Sequence, residues 1–169
     1  MARPRGRRVW FVDPLDGTRD FVAKNGEFCA MVGLSIDGRA VLGAIAAPVL
    51  SPPRSIGSRV RASARAGYAL VGEIETGVRM FGLYEDDDGI LLERVQPMPG
   101  VGQVVRFCAS RSRRPPLLDE IKARVSRERS AETTEFACGS VGVKMANLIF
   151  GDADVYAHPS LGGEKGFPK

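Results

Sequence analysis

The sequence predicts an α/β fold with mixed sheets, antiparallel in its first half and alternating strand with helix in its second. Two observations carry this. Apolar, β-rich runs at 29–36 and 40–48 flank Asp37-Gly38-Arg39, a hairpin signal. From 103 to 157, strand-like runs are separated by two stretches of helical period, giving the order β-α-β-α-β.

The elements follow in order. Residues 9–12 form a short apolar strand that leads into Asp13-Pro14-Leu15-Asp16-Gly17-Thr18. Beyond the hairpin, Pro48 and Ser51-Pro52-Pro53 end the strand pair. Residues 51–67, rich in Arg, Ser, Pro and Gly without periodicity, read as loop. Short apolar runs alternate with turns from 68 to 92. One of those turns, Glu85-Asp86-Asp87-Asp88-Gly89, reads as a solvated hairpin tip, because the ligand spacing and closing Glu of a calcium loop are missing. Residues 103–109 form a strand. Leu117, Leu118, Ile121 and Val125 then mark one face of a helix that Pro115-Pro116 start. A strand at 133–137 ends at Cys138-Gly139-Ser140. The helix at 141–150 places Val141, Met145, Leu148 and Ile149 on one face and stops at Gly151. Residues 153–157 form the last strand, before a Gly- and Pro-rich tail from 158 to 169.

Composition narrows the class. The 169 residues are 44% apolar and 26% charged, as in globular domains, and no apolar run reaches the length of a membrane span. Arg3, Arg5, Arg7 and Arg8 are followed by acidic Asp13 and Asp16 rather than by an apolar core, so they do not read as a signal peptide, and the cytoplasm is the expected compartment. The net charge of +4 suits an anionic small substrate or a nucleic acid. One Trp and three Tyr give little aromatic surface for base stacking, which argues against nucleic acid. Cys29, Cys108 and Cys138 are far apart and odd in number, and read as buried reduced thiols rather than as a disulfide framework or a zinc site.

The chemistry concentrates between residues 13 and 18. Pro14 fixes its own φ and holds Asp13 extended, while Gly17 frees the chain to turn sharply. Asp13 and Asp16 can then converge with the Leu15 carbonyl between them, a set of hard oxygens of the kind Mg²⁺ prefers. The N–H groups of Gly17 and Thr18 suit an anion, and the Thr18 hydroxyl could orient a water. Asp-Pro and Asp-Gly are also common turn formers, so the pattern alone leaves a plain turn open.

Asp13-Pro14-Leu15-Asp16-Gly17-Thr18, followed by Phe21, resembles the signature of the inositol monophosphatase-like, Mg²⁺-dependent, lithium-sensitive phosphatases. Lys24-Asn25-Gly26-Glu27-Phe28, Ile36-Asp37-Gly38-Arg39 and Leu42-Gly43 are similar to the 3′(2′),5′-bisphosphate nucleotidase branch. So are Ser110-Arg111-Ser112, Gly139-Ser140-Val141-Gly142-Val143-Lys144 and Ala153-Asp154-Val155-Tyr156 before His158-Pro159.

The resemblance implies a layered αβαβα sandwich, incomplete here. Residues 1–169 would form a single phosphatase domain, with the metal turn and hairpin sheet in 1–100 and the β-α-β-α-β portion in 101–169. It implies two or three Mg²⁺ per complete site: Asp13 bridges two metals, the Leu15 carbonyl sits on one and Asp16 on the other. Gly17 and Thr18 hold the phosphate, with Leu15 and Asp16 beside it, and Thr18 helps polarise the attacking water. Ser140 and Lys144 fall on the substrate side, Lys144 as countercharge to a second phosphate; without the family, an exposed helix lysine is the ordinary reading. His158 reads as a solvated loop residue. The family's earlier metal-binding Glu and later Trp-Asp pair have no counterpart, so the chain reads as cut at both ends.

The implied activity is release of the 3′-phosphate from a nucleotide such as 3′-phosphoadenosine 5′-phosphate, with inositol monophosphatase as the alternative. A catalytically silent fragment that only binds anions is the reading from another class. The implied partner is a phosphorylated small molecule, with a homodimer if the domain is complete.

Overall fold

The computed structural model describes residues 6–51, 67–83 and 102–158, and the backbone of 92–95. The loop expected across 51–67, the Asp-rich turn at 85–89 and the tail after His158 lie outside the described residues or at their margin. The first half is a six-stranded antiparallel sheet in chain order: β1 (Arg8–Asp16), β2 (Cys29–Ile36), β3 (Arg39–Ala47), β4 (Tyr68–Glu73), β5 (Gly77–Gly82) and β6 (Leu92–Val95). A five-residue helix, α1 (Thr18–Val22), follows β1. The β2–β3 hairpin turns on Asp37 and Gly38 at φ 52° and 77°, the left-handed pair that a two-residue loop requires.

The second half is β7 (Val104–Ser110), α2 (Leu118–Arg129), β8 (Glu132–Cys138), α3 (Val141–Phe150) and β9 (Val155–Tyr156), the expected alternation. Its strands form a parallel sheet in the order β8-β7-β9. As the central strand, β7 is buried on both faces. Val105, Phe107 and Ala109 pack with Leu118 of α2, while Cys108 joins Val143, Ala146 and Phe150 of α3. Helix α3 also packs with Cys29, Ile45 and Leu70 of the large sheet, so it lies between the two sheets. The order is sheet, helix, sheet, helix.

Four details depart from the sequence reading. The first strand does not stop at residue 12 but continues through Asp16. Its register slips at Pro14, which has no N–H to give the ladder. Helix α2 runs past Val125 to Arg129, where Ser130 turns left-handed at φ 50°. Its last turn is solvated and carries the Arg124–Glu128 pair, so no apolar residue announced it. The buried face of α3 is Val143, Ala146 and Phe150, while Met145 is 44% exposed. The last strand is two residues long rather than five. No helix among the described residues is long and apolar enough to cross a membrane.

Candidate active site

The register slip in β1 makes the site. Residues three apart on a regular strand point to opposite faces. Here Asp13 opposes Met31 and Asp16 opposes Cys29, and Met31 and Cys29 share a face. The bulge at Pro14-Leu15 therefore turns both carboxylates to the side of the sheet that α3 covers. Within the bulge, the Leu15 N–H donates to Asp13 Oδ1 at 3.1 Å, and the Thr18 hydroxyl donates to the Leu15 carbonyl at 3.3 Å.

Gly17 then takes φ 85°, and a Cβ there would sit 2.7 Å from the Glu27 carbonyl oxygen and 2.9 Å from Ser140 Cβ. Only glycine lets the turn come this close to the second half of the chain. Ser140 caps α3, accepting from the Val143 N–H at 3.2 Å, while its own hydroxyl donates to Asp16 Oδ2. The Gly142 N–H donates to the same oxygen at 2.8 Å, and the Cys29 thiol lies 3.8 Å from it. All three groups fall on Oδ2. The first turn of α3 thus holds one edge of the Asp16 carboxylate. Burial pushes the Cys29 thiol up to about 11, against the pull of the Ser140 hydroxyl, so it stays a neutral thiol.

Asp16, Gly17, Thr18 and Ser140 line one cleft, while Asp13 and Leu15 lie in the bulge beside it, Asp13 at the border of a second, apolar cleft. Lys144 is buried rather than an exposed helix lysine, and it stands at the wall of the polar cleft described below. It is 1% exposed, and its ammonium donates to the Gly139 carbonyl and, at 3.4 Å, to the Cys138 carbonyl. It lies 5.3 Å from the centre of the Tyr156 ring. These bonds tie it to the backbone of the turn that carries Ser140. His158 is exposed, and its Nδ1 is 2.7 Å from the Tyr156 hydroxyl.

A cleft of about 270 Å³ runs past these groups. Asp16, Thr18, Ser140 and Lys144 line it together with Arg19 and Arg113. A larger apolar cleft of about 550 Å³ lies between the big sheet and α3, with Asp13 at its border and Met31, Leu70 and Ile149 in its wall. The polar cleft is the one whose walls can bind an anion. The sequence reading missed Arg19 and Arg113 as lining residues and held Arg111 and Glu27 only as members of motifs; contacts with Asp20 and Gly139 give those two a place.

The donor set fits a hard divalent cation in kind. Two carboxylates and a backbone carbonyl lie within one bulge, and Asp16 keeps its Oδ1 edge clear of the three donors on Oδ2. Among the described residues no three His, Cys, Asp or Glu side chains gather at one point, so the turn is a partial set.

A sequence model of the inositol monophosphatase family matches residues 1–164. The 3′(2′),5′-bisphosphate nucleotidase CysQ of Aggregatibacter actinomycetemcomitans is 28% identical over 162 residues, 96% of this chain and 51% of that protein. The protein of the same name from Salmonella typhimurium is 50% identical over 49 residues, 29% of this chain and 20% of that one. Among solved structures, CysQ from Bacteroides thetaiotaomicron, a bacterial member of the inositol monophosphatase family, superposes with a TM-score of 0.65 at 25% identity, covering 88% of this chain and 51% of that one. The chain therefore spans about half the length of the relatives it matches most fully.

Proposed function

Because the chain belongs to the inositol monophosphatase family, we propose that it carries the metal-turn and substrate-side portion of an Mg²⁺-dependent phosphomonoesterase acting on a nucleoside 3′,5′-bisphosphate. The products are the 5′-monophosphate and inorganic phosphate; 3′-phosphoadenosine 5′-phosphate, giving AMP, is the substrate in mind. The observation that carries this reading is the polar cleft, in which Asp16, Gly17 and Thr18, at the end of the bulge, line the same space as Arg19 and Arg113. A substrate with two phosphates needs both kinds of wall. The relatives named as 3′(2′),5′-bisphosphate nucleotidases support the substrate class.

In this reading Asp13, the Leu15 carbonyl and Asp16 would hold Mg²⁺. When bound, the metal supplies Lewis-acid charge to a phosphoryl oxygen and lowers the pKa of water. The chain's own groups do the rest. Thr18 Oγ1, held near the Leu15 carbonyl, orients the attacking water for an in-line approach. Gly17 and Thr18 N–H groups hold the transferring phosphate. Ser140 fixes the Asp16 carboxylate. Arg19 and Arg113 line the cleft as countercharges for the second phosphate.

The test is phosphate release from 3′-phosphoadenosine 5′-phosphate and from inositol 1-phosphate, with and without Mg²⁺. Mg²⁺-dependent, lithium-sensitive release from the nucleotide supports the reading. A large preference for inositol 1-phosphate overturns the substrate class. No turnover on either, with retained anion binding, overturns catalysis by this chain and leaves a silent anion-binding fragment.

A further inference from the structure

Arg111 is the first residue after β7, and it touches both halves of the candidate site without lining the cleft. Its N–H donates to the Cys138 carbonyl at 3.1 Å, at the end of the neighbouring strand. Its guanidinium forks. Nη1 donates to Asp20 Oδ1 of α1 and Nη2 to Glu27 Oε1, both at 2.7 Å, across 91 and 84 residues of sequence. The other Glu27 oxygen accepts the Gly139 N–H at 2.6 Å. Asn25 Nδ2 donates to Asp20 Oδ1 at 2.6 Å, and the Glu27 N–H donates to Asn25 Oδ1 at 3.0 Å, which stiffens the loop between the two carboxylates. A Cβ at Gly139 would run into the Asp20 carboxylate. Among the described residues, the ion pairs that join the two sheets' portions of the chain are these two of Arg111.

Asp20 lies two residues beyond Thr18, and Gly139 directly precedes Ser140. One guanidinium therefore fixes the turn bearing Thr18 against the turn bearing Ser140. We propose that Arg111 is a positioning residue: it clamps α1 and the Glu27 loop to the Gly139-Ser140 turn, and so sets the spacing at which Asp16, Thr18 and Ser140 meet substrate. This rests on the phosphatase reading for its consequence, but the clamp itself is a statement about two turns. A lysine cannot replace it in full, because one ammonium does not present two parallel donors to two carboxylates.

Hydrogen–deuterium exchange on the 169-residue chain, with inorganic phosphate binding in the presence of Mg²⁺, tests it. Arg111→Met is expected to speed exchange at 17–24 and 139–144 while leaving α2 unchanged, and to weaken phosphate binding about tenfold, as loss of a supporting contact does. Arg111→Lys should recover part of both. Arg114→Met, which removes pairs to Asp119 and Glu135 away from the site, should change neither. If Arg111→Met fails to fold, Glu27→Gln decides, since it keeps an acceptor for Gly139 but loses the charge facing Arg111. Unchanged exchange at both turns, or a uniform rise across the whole chain, overturns the clamp. Absent phosphate binding by the parent chain would instead count against the phosphatase reading, with the exchange result still deciding the clamp.

Discussion

The Ser140 hydroxyl donates to Oδ2 of Asp16 across 124 residues of sequence, and the same hydroxyl oxygen caps α3 by accepting from Val143. One side chain thus starts a helix and orients a candidate metal ligand. Ser140→Ala is expected to cost about 1 kcal/mol for the lost cap. It should also weaken Mg²⁺ binding about tenfold, because Asp16 loses a partner that fixes it. Thermal melting reads the first and a calorimetric Mg²⁺ titration the second. A stability loss with unchanged Mg²⁺ affinity would separate Ser140 from the metal turn.

Gly17 and Gly38 have similar positive φ, 85° and 77°, but different surroundings. A Cβ at Gly38 meets nothing within 4 Å, whereas one at Gly17 meets the Glu27 carbonyl and Ser140. Gly38→Ala should cost about 1 kcal/mol, the conformational penalty alone. Gly17→Ala should cost about 2–4 kcal/mol, with crowding added to that penalty. Urea unfolding of the two variants provides the comparison, and equal losses would remove the close approach from the account.

Lys144 is buried and bonded to two carbonyls of the turn before α3. Lys144→Met leaves those carbonyls without their donor and should lower stability by about 1–3 kcal/mol. A variant with unchanged melting but a raised KM for 3′-phosphoadenosine 5′-phosphate would instead place the ammonium at the substrate.

Acid should loosen the second half through two carboxylates. Hydrogen bonds from the Arg106 side chain hold Asp154 below its usual value, and those from Arg114, then Lys122, hold Glu135 down at about 2. Folded values below the unfolded ones mean that this stabilisation is present above about pH 4 and is lost as pH falls toward 2. Burial raises Asp152, which works in the opposite sense by penalising the folded state above its ordinary range. Urea midpoints from pH 7 to pH 2 should fall steeply at the acid end, and less steeply in Asp154→Asn.

The hairpin and the ends of α3 were legible because they depend on local chemistry: Asp37-Gly38 for the turn, Ser140 for the cap, Gly151 for the stop. The buried face of α3 was not, since apolar residues occupy most of its positions and periodicity cannot choose among them. At the site, Asp13, Asp16 and Thr18 stood out because they are neighbours in sequence. That Asp13 and Asp16 lie on a strand rather than in a free turn depends on β2, which pairs with both. The Arg111 contacts join residues more than 80 apart and rest on tertiary packing that no local pattern announces.

The bulge in β1 also makes the site unequally tolerant of changes in chain length. Deleting Leu15 would bring the carboxylates to a spacing of two and restore a regular ladder, with both still on the face shared by Met31 and Cys29. What disappears is one of the two carbonyls between the carboxylates, the one that receives the Thr18 hydroxyl in the bulge. Inserting one residue there leaves an even spacing too, but adds slack that the Gly17 approach to Ser140 has no room to absorb. The bulge thus lets an odd spacing keep both carboxylates on one face while placing a carbonyl between them.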